Sequence, residues 1–178
     1  MNSTIGLKRG TVKLSPYSKT WPAVYKKEAK LLKSTFKNYS AIIDIQHVGS
    51  TSVFKLKSKP IIDLAIGVQF LKDGEKCFKA LANLGYEYKG EAGVKGRHFF
   101  VKGPAEKRTH YLHLVKHNGK QWQNLILFRD YLKKFPLARQ AYQKIKEAAA
   151  AKHKNNREAY TAEKNDFISA IIKKVKNK

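Results

Sequence analysis

A glycine-serine pair and an aspartate about a dozen residues further on are the residues best suited to phosphate chemistry. Gly49 and Ser50 directly follow a segment rich in β-branched residues, and Asp63 lies inside the next apolar run. Such a turn offers backbone N–H donors and a hydroxyl to a phosphate group, and glycine lets a ligand approach the backbone closely. A carboxylate in a buried strand requires a partner, because burial of an unpaired charge is very costly. We therefore expect Asp63 to be catalytic and Gly49 and Ser50 to bind phosphate.

Two basic residues near this segment could neutralise a phosphate group. Lys59 precedes the Asp63 strand, and Arg97 follows a glycine-containing loop. Arginine suits this purpose because its planar guanidinium can donate two parallel hydrogen bonds to a phosphate. The alternative is that both are ordinary solvated charges at strand ends. We expect Lys59 and Arg97 to complete the phosphate-binding set.

His47, Glu91 and His113 are the residues that could share a metal ion with Asp63. The cofactor predicted from this set is a divalent ion, Mg²⁺ or Mn²⁺, or Zn²⁺ or Ni²⁺ if the histidines ligate it. The alternative is that the two histidines have structural roles. In that case His47 only fixes the turn by a hydrogen bond, and His113 is a satisfied histidine of a strand.

The charge of the chain is strongly positive. It has 37 lysines and arginines against 13 aspartates and glutamates, a net charge of +24, and six of the basic residues are arginine. A lysine-rich surface favours a diffuse positive field and salt-sensitive, nonspecific binding of nucleic acid. A general compositional bias toward lysine is the alternative.

Composition also excludes some classes of protein. The single cysteine, Cys77, excludes an internal disulfide framework and a cysteine-based zinc site. The sequence has no apolar signal-like region at its start and no run as long as a membrane span. We expect a cytoplasmic protein that does not partner a membrane.

The elements that must position these residues follow from hydrophobic periodicity and turn signals. No linker or repeat divides the chain, so we expect one domain over 1–178 with a helical C-terminal part from about 119 to 178. The element order predicts an α+β fold, a mixed β-sheet covered by helices. The predicted elements are a helix from about 20 to 36, strands at 41–48 and 61–68, a helix capped by Asp73 and ended by Gly85, a strand beginning at 86, a hairpin of 97–103 and 109–116, and C-terminal helices, the last capped by Asn155 with Glu158.

Seven motifs, in order along almost the whole chain, give this sequence a resemblance to a known family. The motifs are W-P (21–22), H-V-G-S-T-S-V (47–53), K-P-I-I-D (59–63), L-G-Y-E-Y-x-G-E-A-G-x-x-G-R-x-F-F-x-K-G (84–103), T-H-x-L-H (109–113), F-R-D-Y-L (128–132) and R-E-A-Y-T-x-x-K-x-D-F-I (157–168). It resembles the GrpB family and, through the Gly-Ser pair followed by a strand aspartate, the nucleotidyltransferase superfamily. The resemblance implies a nucleotidyltransferase-like fold with Asp63 in the active site.

The sequence departs from the superfamily at one position. Nucleotidyltransferases usually carry a second carboxylate two residues after the first, and here that position is Ala65. Asp63 alone would hold Mg²⁺ weakly, so the expected active site is a degenerate one with a single aspartate. Ala65 and Gly67 share a strand face with Asp63, and we expect these small residues to leave room for a ligand.

Three functions are compatible with the sequence. The first is a nucleotidyltransferase-like domain that binds a nucleotide or another phosphorylated ligand, with metal-dependent phosphoryl or nucleotidyl transfer as its reaction. The second is a noncatalytic basic module that binds RNA or another polyanion and does not depend on Asp63. The third is a metal-dependent hydrolase that uses the histidines.

Overall fold

A mixed β-sheet forms the centre of the protein. The strands are β1 (Ile42–Val48), β2 (Ile62–Val68), β3 (Tyr86–Tyr88), β4 (Arg97–Lys102) and β5 (His110–Lys116). The computed structural model describes residues 5–177, so the ends of the predicted domain, 1–4 and 178, lie outside it. Within the described range the strand order is β1-β2-β5-β4-β3. β2 and β5 are parallel, whereas the other neighbouring pairs are antiparallel.

Helices cover both faces of this sheet. They are α1 (Trp21–Thr35), α2 (Phe78–Asn83), α3 (Lys120–Lys134), α4 (Pro136–Lys152), α5 (Arg157–Ala162) and α6 (Asn165–Lys176), with 3₁₀ turns at Ser50–Ser52 and Leu71–Cys77. The α+β class and the mixed sheet covered by helices are therefore confirmed.

The main hydrophobic core lies on one face of the sheet. Leu64 and Ile66 of β2 are fully buried there, together with Leu32 of α1 and Leu81 of α2. Because side chains alternate along a strand, burial of Leu64 and Ile66 on this face places Asp63 and Ala65 on the opposite face. The core therefore fixes which face of β2 is available for a site.

The C-terminal helices cover the opposite face only in part. Trp122 of α3 packs against Ala65 and Val115, and Tyr142 of α4 packs against Leu56 in the segment between β1 and β2. The side chain of Asp63 stays 26% exposed. Helices α3 and α4 thus bury one part of this face of the sheet and leave the region around Asp63 partly exposed.

Two predicted helix caps are wrong. Asp73 lies within a 3₁₀ segment and pairs with Lys76 at 2.9 Å, and α2 begins only at Phe78. At the C-terminus the capping side chain is Asn156, one residue after the predicted Asn155, and it accepts a hydrogen bond from the Ala159 N–H. The predicted last helix is divided into α5 and α6. The helix over 20–36, the strands over 41–48 and 61–68, and the hairpin are confirmed.

Residues 5–177 contain no helix that combines the length and the hydropathy needed to cross a bilayer.

Candidate functional site

Asp63 lies where three strands meet, on the face away from the main core. In the sheet register it is opposite Val48 of β1 and Tyr111 of β5. Both neighbours share its face, because directly paired residues point the same way. Its carboxylate is partly exposed, so the site is open to a ligand.

Gly49 is held directly against this carboxylate. It follows Val48, the partner of Asp63, and it turns the chain with a φ of 66° and a ψ of −172°, a conformation that is essentially restricted to glycine. A Cβ atom at this position would lie 2.5 Å from Oδ2 of Asp63. Glycine is therefore required here for two separate reasons, backbone conformation and close packing on the acid.

Arg97 and His113 form a chain of polar contacts that ends at Asp63. The Arg97 Nη1 group donates to Nδ1 of His113 at 3.2 Å. A guanidinium can only donate, so Nδ1 accepts and the neutral ring carries its proton on Nε2. That Nε2 atom lies 3.6 Å from Oδ1 of Asp63. Burial lowers the pKa of His113, which favours this neutral form, while Asp63 acts in the opposite direction.

His47 and Glu91 do not join Asp63. His47 is paired with Leu64, so it points to the other face of the sheet, where it stacks on Tyr25 at 4.6 Å and contacts Thr51 at 3.1 Å. Burial lowers the pKa of His47 to about 4. The Glu91 carboxylate accepts the Gly96 N–H at 2.7 Å, within its own loop. Of the four predicted metal ligands, the structure brings together Asp63 and His113.

The remaining site residues are cations, and sequence reasoning missed three of them. Lys59 and Arg97 were predicted, whereas Lys146, Arg157 and Lys164 come from α4, α5 and the turn before α6. All five lie close enough to Asp63 or to one another for their charges to interact. We call Lys59, Arg97, Lys146, Arg157 and Lys164 the cation cluster. The motif at 157–168 contains Arg157 and Lys164, but nothing in its spacing indicates their proximity to Asp63.

Burial and mutual repulsion weaken proton binding in the cation cluster. Burial and, to a smaller extent, neighbouring cations lower the pKa of Lys59 to about 8 and that of Lys164 to about 7. Burial likewise lowers the pKa of Arg97 to about 10. The pKa of Lys146, whose residue is 2% exposed, is lowered well below its usual range. Lys59 and Arg97 nevertheless stay charged at pH 7, so the cluster still holds more positive charge than Asp63 can balance.

Aromatic rings support these cations. The ammonium of Lys164 lies 4.0 Å from the centre of the Tyr160 ring, and that of Lys59 lies 5.3 Å from the same ring. The Lys146 ammonium donates to the Lys57 carbonyl at 2.5 Å, which places it beneath the site as a structural contact. Lys59 and Lys164 thus share one aromatic ring.

Two expectations about the space around Asp63 need correction or refinement. Gly67 leaves no room for a ligand, because an added Cβ would lie 2.9 Å from both His117 and Trp122. The small residue is needed for packing of α3. Ser50 lies within hydrogen-bonding reach of Tyr142, so its hydroxyl belongs to the wall of the site.

The donor set does not fit a resident divalent metal ion. Residues 5–177 contain no group of three or more His, Cys, Asp and Glu side chains arranged to hold one. Asp63 supplies a single carboxylate, and the cation cluster beside it opposes a second positive ion. These residues therefore combine one carboxylate with several cations and lack the set of acids that a divalent ion needs.

The fold class is shown by likeness to a solved structure. The structure of Cid1 in complex with its short product ApU aligns with 74% of this chain and 41% of that chain, with a TM-score of 0.51 and 14% identity. At this identity the likeness concerns the fold alone. The chain has a nucleotidyltransferase-like fold.

The chain belongs to the GrpB family. The model of this family, described as "GrpB protein", matches residues 11–174. It is 35% identical over 172 residues to the glutamate-rich protein GrpB of Alkalihalophilus pseudofirmus, covering 94% of this chain and 98% of that one. It is 33% identical to the UPF0157 protein YqkA of Bacillus subtilis, covering 93% of this chain but 47% of that relative. The crystal structure of the conserved protein GrpB from Enterococcus faecalis matches with a TM-score of 0.81 and 32% identity, over 91% of this chain and 96% of that one.

We predict that Gly49→Ala destabilises the protein and displaces the Asp63 carboxylate. The matched control is Gly90→Ala, because Gly90 has a similar φ of 63° but no atom within 4 Å of an added Cβ. The control should cost about 1–2 kcal/mol for left-handed backbone. Gly49→Ala should cost clearly more, measured by urea unfolding. Equal losses for the two variants would contradict the close packing on Asp63.

Proposed function

We propose that this protein binds a phosphorylated ligand of the nucleotide class in the cation cluster over Asp63. The observation that carries the proposal is the charge imbalance, with Lys59, Lys164, Arg97 and Arg157 gathered around one carboxylate. Cations held partly out of water are stabilised by a counter-charge, and a polyphosphate supplies several negative oxygens at once.

Different residues would make different contacts with such a ligand. Lys59 and Lys164 provide two ammonium groups on the Tyr160 ring, and Arg97 provides a guanidinium that is already fixed by the carbonyls of Glu91 and Ala92. A fixed donor loses little conformational freedom on binding. Gly49 is proposed to let a phosphate approach the backbone beside Asp63.

Two further observations support a nucleotide as the ligand. The fold is nucleotidyltransferase-like, and Cid1, which has a similar fold, forms a complex with ApU, its short product. Asp63 is partly exposed and is oriented by His113, so it can accept a hydrogen bond from a ligand hydroxyl. The transfer reaction expected from the superfamily pattern is not assigned, because the residues present do not fit a resident metal.

The alternative of a noncatalytic basic module keeps one observation in its favour. The net charge of +24 extends far beyond the cation cluster, as the exposed lysines of α1 show. In that case RNA binding would survive the loss of Asp63 and would weaken steeply with salt. Dependence on residue 63 therefore separates the two functions.

Asp63→Asn is expected to tighten binding of sulfate, because it removes a negative charge next to the bound anion while preserving side-chain shape. Titration calorimetry with sulfate measures this directly. With a magnesium-nucleotide complex as the titrant, a large loss of affinity in Asp63→Asn would instead show that the carboxylate binds the ligand's metal. An unchanged affinity for both titrants would remove Asp63 from the site.

Lys164→Met should weaken binding of inorganic tripolyphosphate about tenfold or more, since a charge-assisted contact contributes about 1.5–3 kcal/mol. Methionine keeps most of the apolar stem that lies on Tyr160. The matched control is Lys30→Met, which removes an exposed lysine of α1. Fluorescence or calorimetric titration gives both affinities. Equal, small losses in the two variants would indicate nonspecific attraction and would refute the proposed site.

Sulfate affinity is expected to fall as the pH rises from about 6.5 to 9. The lowered pKa values of Lys164, about 7, and Lys59, about 8, mean that both amines are charged below this range and neutral above it. Sulfate stays a dianion throughout, so the change reports the protein. At pH 8 binding should also take up protons, measurable by calorimetry in buffers of different ionisation enthalpy. A flat profile would contradict a role for these amines, and the Lys59→Met, Lys164→Met double variant should flatten it.

A further inference from the structure

A cavity of about 740 Å³ lies beside the cation cluster. Its floor is formed by Phe99 and Val101 of β4 and Tyr111 of β5, and its walls by the loop around Gly93, the N-terminal segment at Arg9 and helix α5. A volume of this size suits a small organic ligand, since ligand pockets measure about 300–1,000 Å³. The residues that line the cavity decide which chemistry it would accept.

The wall of this cavity is predominantly cationic. Arg108 and Lys89 share the single carboxylate of Glu87, which balances one of their two positive charges. Arg9 and Arg157 form no ion pair among residues 5–177, and both line the cavity. Their guanidinium groups therefore provide unbalanced donors of the kind that binds phosphate.

The cavity and the Asp63 site meet at Tyr111. Tyr111 is opposite Asp63 in the sheet, and the Arg157 guanidinium lies 4.8 Å from the centre of its ring. Arg157 also belongs to the cation cluster, where its charge acts on Lys59 and Lys164. A ligand in the cavity and a polyphosphate in the cluster would thus be neighbours on the two sides of Arg157.

Polar side chains of α5 and of the residues on either side of it complete the chemistry of this cavity. Asn155, Thr161 and Asn165 line it and offer neutral donors and acceptors, whereas Glu158 is the acidic residue among its described lining. Such groups can bind the hydroxyls or base edge of a ligand whose phosphate is neutralised by the arginines. The combination matches an organic monophosphate of nucleoside size better than a bare inorganic ion.

We propose that this cavity binds a second ligand, an organic monophosphate the size of a nucleoside monophosphate, at the same time as the cation cluster holds its polyphosphate. The proposal extends the proposed function, since Arg157 serves both ligands. It assigns separate residues to the second ligand, so the two can be tested apart.

The experiment titrates AMP into protein saturated with tripolyphosphate, using calorimetry. AMP should still bind, and Ala162→Trp, which places a bulky ring on an exposed cavity-lining position of α5, should weaken it at least tenfold. Arg9→Gln should weaken it as well and guards against misfolding of the first variant. Ala170→Trp, at an exposed position of α6 outside the cavity, is the matched control and should leave AMP affinity unchanged.

The outcomes separate the two proposals. If AMP does not bind beside tripolyphosphate, or binds equally well in Ala162→Trp and Arg9→Gln, the second site is overturned. If tripolyphosphate itself fails to bind while AMP binding is still lost in both variants, the proposed function fails and the cavity proposal stands. If the binding of a short oligoadenylate is weakened in Ala162→Trp and Arg9→Gln but the binding of AMP is not, the ligand is a nucleic acid and the small-molecule assignment is wrong.

Discussion

The collection of positive charges around one carboxylate is the constraint on which the rest of this site depends. Each cation comes from a different part of the chain, and their proximity is unfavourable unless aromatic rings, carbonyl groups or an anion offset it. Tyr160 supports Lys59 and Lys164, and the Lys57 carbonyl holds Lys146. Among the described residues, the acids near the cluster are too few to balance its positive charge. A bound polyphosphate would supply the missing negative charge.

The sheet topology explains why Asp63 is the centre of this arrangement. β2 has an antiparallel neighbour on one side and a parallel neighbour on the other, so the end of β1 and the start of β5 lie at the same level. The first brings Gly49 onto the carboxylate, and the second brings Tyr111 and, one pair further along, His113. The main core fixes the other face, because Leu64 and Ile66 must be buried. The acid is therefore held rigidly without being sealed.

The nucleotidyltransferase-like fold of this chain carries one carboxylate, Asp63, where the superfamily pattern has two. Ala65 occupies the position where the second acid is expected. It packs against Trp122, so a hydrophobic contact with α3 replaces the second carboxylate. His113 approaches Asp63 instead, with its Nε2 atom 3.6 Å from the carboxylate, and Arg97 contacts the other nitrogen of the His113 ring. The proposed function of this GrpB-family chain therefore relies on electrostatic capture of an anion rather than on coordination of a metal by several acids.

The amino-acid sequence by itself determined the α+β class, the positions of most helices and strands, and the likeness to the GrpB family, because periodicity and local motifs act over a few residues. It also placed Asp63 next to a Gly-Ser turn, since β1, the turn and β2 are consecutive. Tertiary structure decided that His47 faces away, because strand register assigns it to the face of Leu64. It also decided that Lys146, Arg157 and Lys164, about 80 to 100 residues from Asp63 in the chain, belong to the site. Contacts between distant segments depend on how the helices pack across the sheet, and no local pattern encodes that packing.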